Sequence, residues 1–331
     1  MTLDLIATNV FSVPVLAFAL GLLAAAIKAD LRLPDAAYQA ISIYLLLAIG
    51  LKGGVALREA DLAEVAAPVA VAIILGVTIP ILAFLGLRFL TKLGPVDRGA
   101  LAAHYGSTSL VTFTAALVFL ESLNVSYEGY VATLLAILEI PGILVGLLLA
   151  RSMSKNPAGA DAPSRRRWAE SLREVLTGRS VLLLAGGLVM GVLTGPEGFV
   201  RVEPFFGGLF TGVLALFLLE MGMLAGRRLG DLRQAGFGLV VFAIVFPIVA
   251  GVLGIGGGSL AGMSTGGAMV LGVLCASASY IAAPAAVRLA LPTANPGITL
   301  TASLGMTFPF NLVIGIPLYW GIAQWLAPIL G

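Results

Sequence analysis

Apolar residues along this chain come in blocks of about 20, the length that carries a helix across a bilayer, and polar residues collect in the short gaps between blocks. The blocks predict membrane-spanning helices over residues 11–27, 37–57, 65–87, 99–120, 128–150, 180–195, 205–226, 235–255, 267–290 and 297–326. Two blocks are interrupted. Ala103-His104-Tyr105-Gly106-Ser107-Thr108-Ser109 cuts span four, and Ala276-Ser277-Ala278-Ser279-Tyr280-Ile281-Ala282-Ala283-Pro284-Ala285 cuts span nine. Hydroxyls, a glycine and a helix-breaking proline are tolerated at mid-membrane where the backbone lines a site. Matched interruptions in two halves of a chain point to a transporter's binding site.

The two halves echo one another at a near-constant offset. Gly50-Leu51-x-x-Gly54 parallels Gly222-Met223-x-x-Gly226, and Asp61-Leu62 parallels Asp231-Leu232. Ser107-x-Ser109 parallels Ser277-x-Ser279, and Glu139-Ile140-Pro141 parallels Thr307-Phe308-Pro309. Each half holds five predicted spans, so the second inserts upside down. The expected fold is all-α and integral to the membrane: ten transmembrane helices as a 5+5 inverted repeat, with spans four and nine broken and crossed. Residues 1–150 form the first repeat, 151–179 a cytoplasmic linker and 180–331 the second repeat. The glycine pairs in spans two and seven are expected to pack helices within the subunit.

Charge sets the orientation. All basic residues except Lys52, Arg58 and Arg201 fall in alternate connections, which places those connections in the cytoplasm and both termini outside. In the linker, Arg165–Arg167 stand beside Trp168, Leu172, Val175 and Leu176 at helical spacing, which predicts an amphipathic helix on the anionic inner leaflet. Composition agrees with the pattern: 59% of residues are hydrophobic and 11% charged, against about 25% charge in soluble domains. With one cysteine, Cys275, and one histidine, His104, the chain can form neither an internal disulfide nor a zinc site of these residues. Asp4 stands where a signal peptide would carry basic residues, so the first span is expected to stay as an anchor. No resident cofactor and no nucleic-acid partner are expected.

The two breaks suggest a specific chemistry. Their second halves begin near the midplane with N-termini facing each other, each offering up to four free N–H groups and about half a positive charge. A small inorganic anion held between them needs no buried Lys or Arg, and neither break contains one. The expected substrate contacts are Tyr105, Gly106, Ser107, Thr108, Ser109, Ser277, Ser279, Tyr280, Ala282 and Ala283. Carbonyl ends of the first halves suit sodium. The competing reading of the hydroxyls is that each bonds back to its own preceding turn. Glu139, inside span five and next to Ile140-Pro141, is a functional carboxylate by default. Residues expected to couple a cation or proton are His104, Ser109, Glu139, Thr307 and Asn311, with Ser109, Glu139 and Thr307 as the sodium set. Glu220, on span seven two turns before Arg227 and Arg228, needs a partner or a water-filled cavity at its depth, and a structural ion pair is expected ahead of a transport role. Two rival readings remain: a proton-coupled anion transporter or cation/proton antiporter, and an intramembrane hydrolase using Ser107 with His104.

Several of these stretches carry a family likeness. Gly53-Gly54-Val55-Ala56-Leu57-Arg58 with Asp61-Leu62, Gly106-Ser107-Thr108, Glu139-Ile140-Pro141 and Pro292-Thr293-Ala294-Asn295-Pro296 resemble the sodium-dependent bicarbonate transporter family of cyanobacteria and its bacterial relatives. The resemblance implies bicarbonate as the anion, sodium as co-substrate and a homotrimer in the bacterial plasma membrane, similar in fold to bile-acid sodium symporters. It also implies an elevator motion of a core domain (spans three to five and eight to ten) against a gate domain (spans one, two, six and seven). The family is regulated by a signalling protein of the nitrogen-sensor type, and the connection between the halves is short in this chain. Where the cyanobacterial proteins have Ser-Ser-Asp in span nine, this chain has Ser277-Ala278-Ser279-Tyr280, and His104-Tyr105 replace small residues before the Gly-Ser-Thr triplet.

Overall fold

The computed structural model describes residues 7, 9–29, 31–153, 173, 176–228 and 236–330. Among these residues the structure is all helical, with no strands. In chain order the helices are α1 (Val13–Ala26), α2 (Asp35–Glu59), α3 (Leu62–Leu90), α4 (Pro95–Gly106), α5 (Leu110–Ser122) and α6 (Val131–Ser152). They continue as α7 (Arg179–Val200), α8 (Phe210–Arg228), α9 (Phe237–Leu260), α10 (Thr265–Ala276), α11 (Ala282–Ala290) and α12 (Pro296–Leu330). Eight stretches are long and apolar enough to cross a membrane: α2, α3, α6, α7, α8, α9, α12 and Pro95–Ser122, which α4 and α5 share. Helices α1 and α10 are shorter but equally apolar in character. The amphipathic segment expected from Arg165 lies outside the described residues, apart from Arg173 and Leu176.

Local chemistry sets the ends. The Asp61 side chain caps α3 by accepting the Ala63 N–H at 2.9 Å, and Asn295 caps α12 through the Gly297 N–H at 2.9 Å; both occupy donors that a helix start leaves free. Helix α7 runs past the expected residue 195 only by way of a kink, where Gly195 takes φ +62 just before Pro196. The expected start of span seven at 205 moves to Phe210 because Pro204–Gly208 form a separate π-helical turn. Inside α12, Thr301–Thr307 and Asn311–Gly315 are π-helical on either side of Pro309. A proline lacks the N–H that a regular α-turn requires, and wider turns of this kind recur at functional sites.

Packing divides the helices into two sets of contacts. α1 lies on α8 and α2 on α7; separately, α4 packs on α6 and α10 on α9, while α3 touches both α6 and α9. The glycines of spans two and seven serve contacts within the chain. A Cβ on Gly54 would stand 2.1 Å from the Leu188 carbonyl oxygen, and one on Gly222 2.1 Å from that of Phe18. Glu220 is 3% exposed, and its carboxylate accepts the Leu33 backbone N–H at 2.9 Å. A chain turn thus supplies the partner its depth demands. At the start of the chain, the Asn9 amide donates to the Leu312 carbonyl at 2.7 Å, tying the segment before α1 to the second π-helical stretch of α12.

Candidate functional site

The backbone leaves helical geometry at the two polar stretches. α4 ends at Gly106, Ser107 and Ser109 are extended, and α5 starts at Leu110. α10 ends at Ala276, Ser277 is extended, and α11 starts at Ala282. Gly106 lets the end of α4 lie close against α3 and α6, because a Cβ there would press on Pro80 at 2.7 Å and on the Gly142 Cα at 2.9 Å.

Hydrogen bonds join the two interruptions directly. The Ser109 N–H donates to Ser277 Oγ at 2.8 Å, and the Ser279 N–H donates to the His104 carbonyl at 2.8 Å. His104 Nδ1 lies 2.7 Å from the Ser279 carbonyl oxygen. A carbonyl can only accept, so Nδ1 carries the proton. A reciprocal pair of bonds therefore ties residue 104 to residue 279.

The remaining hydroxyls have distinct duties. Ser277 Oγ donates back to the Leu274 carbonyl at 2.8 Å, as membrane serines often do, while also receiving Ser109. Ser109 and Ser279 act as caps: their oxygens accept the Thr112 N–H at 3.3 Å and the Ala283 N–H at 3.2 Å. Thr112 adds its own hydroxyl to Ser109 at 3.0 Å, and Thr108 reaches the Leu135 carbonyl at 3.4 Å. Ser107 is buried and its Oγ has no partner among the described residues.

At the start of each second helix, donors remain open. Among the described residues no acceptor meets the N–H groups of Leu110, Ile281 or Ala282. All three residues line one cavity of about 90 Å³ together with Thr108, Ser109, Ser279 and Tyr280. The opposite wall comes from α2 and α7 through Tyr38, Ser42, Leu46, Arg179, Ser180 and Leu184. Glu139 lines the same cavity at 6% exposure and makes no hydrogen bond or ion pair among the described residues. Arg179 is exposed, so it stands at the mouth. No three His, Cys, Asp or Glu side chains gather into a cluster among the described residues; a cation beside Glu139 would have to draw on neutral oxygens.

Several expected site residues lie elsewhere. Thr307 does not line this cavity: its hydroxyl donates to the Ala243 carbonyl at 2.7 Å and receives the Tyr105 hydroxyl at 2.6 Å. Asn311 caps the first half of span nine, its amide donating to the Ala276 carbonyl at 2.8 Å while its oxygen receives Tyr319 at 2.9 Å. Tyr105, Gly106, Ser107, Ser277 and Ala283 stand behind the lining residues rather than among them. His104 Nε2 and Ser107 Oγ are each without a partner among the described residues. They do not form the base–nucleophile bond that a hydrolase needs.

Sequence reasoning missed the α2 and α7 wall. Ser42 bonds back to the Tyr38 carbonyl at 2.8 Å and reads as an isolated serine in an apolar block. Arg179 reads only as one more orienting charge. Thr112, one turn into α5, could have been suspected from its spacing of three from Ser109.

A family model of the Na+-dependent bicarbonate transporter superfamily matches residues 14–324. Among curated proteins, none matches the chain. The matched span runs from the second residue of α1 through α11, both interruptions and most of α12, and on that basis this chain belongs to the Na+-dependent bicarbonate transporter superfamily, a family of transporters and not of enzymes.

Proposed function

We propose that the chain is a secondary active transporter that carries bicarbonate with sodium, and that the anion sits in the cavity between the starts of α5 and α11. One observation carries this reading: Leu110, Ile281 and Ala282, at the starts of α5 and α11 and with N–H groups that meet no acceptor among the described residues, line a single cavity. Helix N-termini bind anions through such amides and the aligned peptide dipoles. Ser109, Ser279 and Tyr280 add hydroxyls at the wall, and Arg179 supplies positive potential at the mouth. Ser107, Ser277, Tyr105, Gly106 and Ala283 shape the backbone that presents those amides. Sodium lies on the Glu139 and Ser109 side of the cavity, with Thr307 holding Tyr105 in place from behind.

In this reading α1–α6 and α7–α12 are the two inverted repeats, with α4/α5 and α10/α11 as the crossed, broken spans. The contact pattern supports it, because α2 on α7 is the mirror of α8 on α1, and α3 on α4 mirrors α9 on α10. Helices α1, α2, α7 and α8 form the gate, and the rest form the core that moves as an elevator within a homotrimer. Both termini face outward. The cavity wall drawn from the α2 start and the α7 start then opens to the cytoplasm.

Labelled bicarbonate uptake into proteoliposomes tests the reading. Uptake should follow an inward sodium gradient and vanish without it. Because Glu139 is a carboxylate without a partner among the described residues, proton coupling is the second reading, and uptake that ignored sodium but followed a pH step would select it. Ser107→Ala combined with Ser277→Ala should weaken bicarbonate binding by several-fold in a folded protein, because Ser277 Oγ holds the Ser109 N–H and a buried donor left without its acceptor costs about 1–3 kcal/mol, which loosens the stretch that leads into α5. Unchanged affinity would reduce these serines to structural bonds.

A further inference from the structure

One side of α11 is packed and the other is not. Ala283, Ala286 and Ala290 share a buried cluster with Ala103 of α4 and Leu147 of α6. The opposite stripe, Ile281, Ala285, Arg288 and Leu289, is exposed. Along it, between α11 and the start of α12, lies a second cavity of about 530 Å³, a volume within the range of about 300–1,000 Å³ typical of sites for organic ligands. Pro284, Val287 and Leu291 on one side and Pro296 and Leu300 on the other make its wall largely apolar. Polar groups of the α11–α12 connection are bonded within the chain. The Asn295 N–H donates to Asp97 Oδ1 at 2.8 Å, and its own Oδ1 accepts the Gly297 N–H at 2.9 Å. Thr299, on the wall, donates its hydroxyl to the Pro296 carbonyl at 3.3 Å. Arg288 is different. It is the only Asp, Glu, Lys or Arg on the wall, it is exposed, and it makes no ion pair or hydrogen bond among the described residues.

These features select among ligand classes. A hydrated inorganic anion could meet Arg288 but gains nothing from an apolar wall. A neutral lipid chain would cover the wall and leave the guanidinium alone. A cation is repelled. An anion carried on a hydrocarbon chain answers both needs. Arg288 lies in the last turn of α11, beside the polar connection, and basic pockets between membrane helices at that level hold acidic headgroups. A guanidinium also matches phosphate oxygens two at a time. Leu289, 43% exposed, extends the apolar surface beyond the cavity, as a chain entering from the bilayer requires.

We propose that this cavity is a binding site for an acidic phospholipid, with the headgroup phosphate on Arg288 and one acyl chain along the exposed stripe of α11. The lipid gives α11 the neighbour that the chain itself does not supply. The placement of Arg288 at a membrane surface rests on the reading of the crossings above; the identity of the transported ion has no bearing on it.

Photolabelling of the full-length protein tests the site. In phosphatidylcholine nanodiscs containing phosphatidylglycerol with a diazirine in one acyl chain, illumination and peptide mapping should place the label on residues 281–300. That label should saturate at low mole fraction and be displaced by unlabelled phosphatidylglycerol. Phosphatidylcholine with the same diazirine chain should mark all lipid-facing helices alike. Arg288→Gln should raise the half-saturating fraction of phosphatidylglycerol several-fold, and Arg288→Lys, which keeps the charge, should raise it less. Ala285→Trp fills the cavity from an exposed position and should remove the label from a protein that still elutes as folded. Equal labelling of 281–300 by the two lipids, labelling that never saturates, or a half-saturation untouched by Arg288→Gln overturns the proposal. Displacement by inorganic phosphate at constant ionic strength would make the ligand a free anion, and displacement by palmitate but not by phosphatidylglycerol would make it a fatty acid; either result overturns it too. The label is read with no substrate present, so a protein that labels as expected but moves no bicarbonate would sink the transport reading alone.

Discussion

Gly142→Ala is expected to lower bicarbonate uptake by about a hundredfold while the neighbouring Gly76→Ala leaves it near the wild-type rate. A Cβ on Gly142 would fall 1.8 Å from the Gly106 carbonyl oxygen, 2.0 Å from the Gly106 carbonyl carbon and 2.7 Å from the Ser107 nitrogen. All three atoms are backbone at the interruption itself, so no side chain can swing aside. Overpacking of this kind costs about 1–3 kcal/mol where the structure can give, and here the part that gives is the stretch joining α4 to α5. Displacing Ser107 by as little as about 1 Å also tilts the open Leu110 amide away from the anion, and misplacement of that size can cost about 10²-fold in rate. At Gly76 the nearest atom to a new Cβ is Pro141 Cβ at 3.4 Å, an ordinary contact. Initial uptake rates of the two variants, normalised to folded protein by size exclusion, make the comparison. Wild-type transport by Gly142→Ala would remove the rigid interruption from the mechanism.

Much of this geometry is legible in the chain because the residues that stop a membrane helix are few. Gly106 followed by three hydroxyls, and two serines ahead of Pro284, mark where helical geometry gives out at Ser107–Ser109 and between Ser277 and Ile281. Which hydroxyl faces the cavity is another matter. Ser107 and Ser277 look alike in sequence, yet one oxygen is unpartnered and the other bridges Leu274 and Ser109. That difference depends on side-chain rotamers and on a partner far along the chain, and neither leaves a trace in spacing. Thr307 shows the same limit. The repeat pairs it with the Glu139 stretch, but the hydroxyl is taken by Tyr105 and Ala243. The π-helical stretches of α12 are equally silent, since no periodicity distinguishes them from α-helix before Pro309 and Asn311 are seen in place.

Glu139→Gln should raise the sodium concentration for half-maximal uptake on the order of a hundredfold, with a far smaller change in bicarbonate affinity measured at saturating sodium. The carboxylate is the sole Asp or Glu on the wall of the cavity at the starts of α5 and α11 and has no partner among the described residues to neutralise it. A charge in that position attracts a cation about 4 Å away by about 4 kcal/mol at the effective dielectric of a protein, and each 1.4 kcal/mol is a factor of about ten. The amide keeps the shape and an oxygen ligand but loses the charge, so the loss should fall on the cation. Glu139→Asp retains the charge one methylene farther back and should lie between the two. Uptake against sodium concentration, with bicarbonate fixed and a pH gradient imposed or absent, separates the outcomes. If the amide variant loses uptake driven by the pH gradient but titrates with sodium as the wild type does, Glu139 carries a proton instead. If neither dependence moves, the carboxylate has no part in coupling.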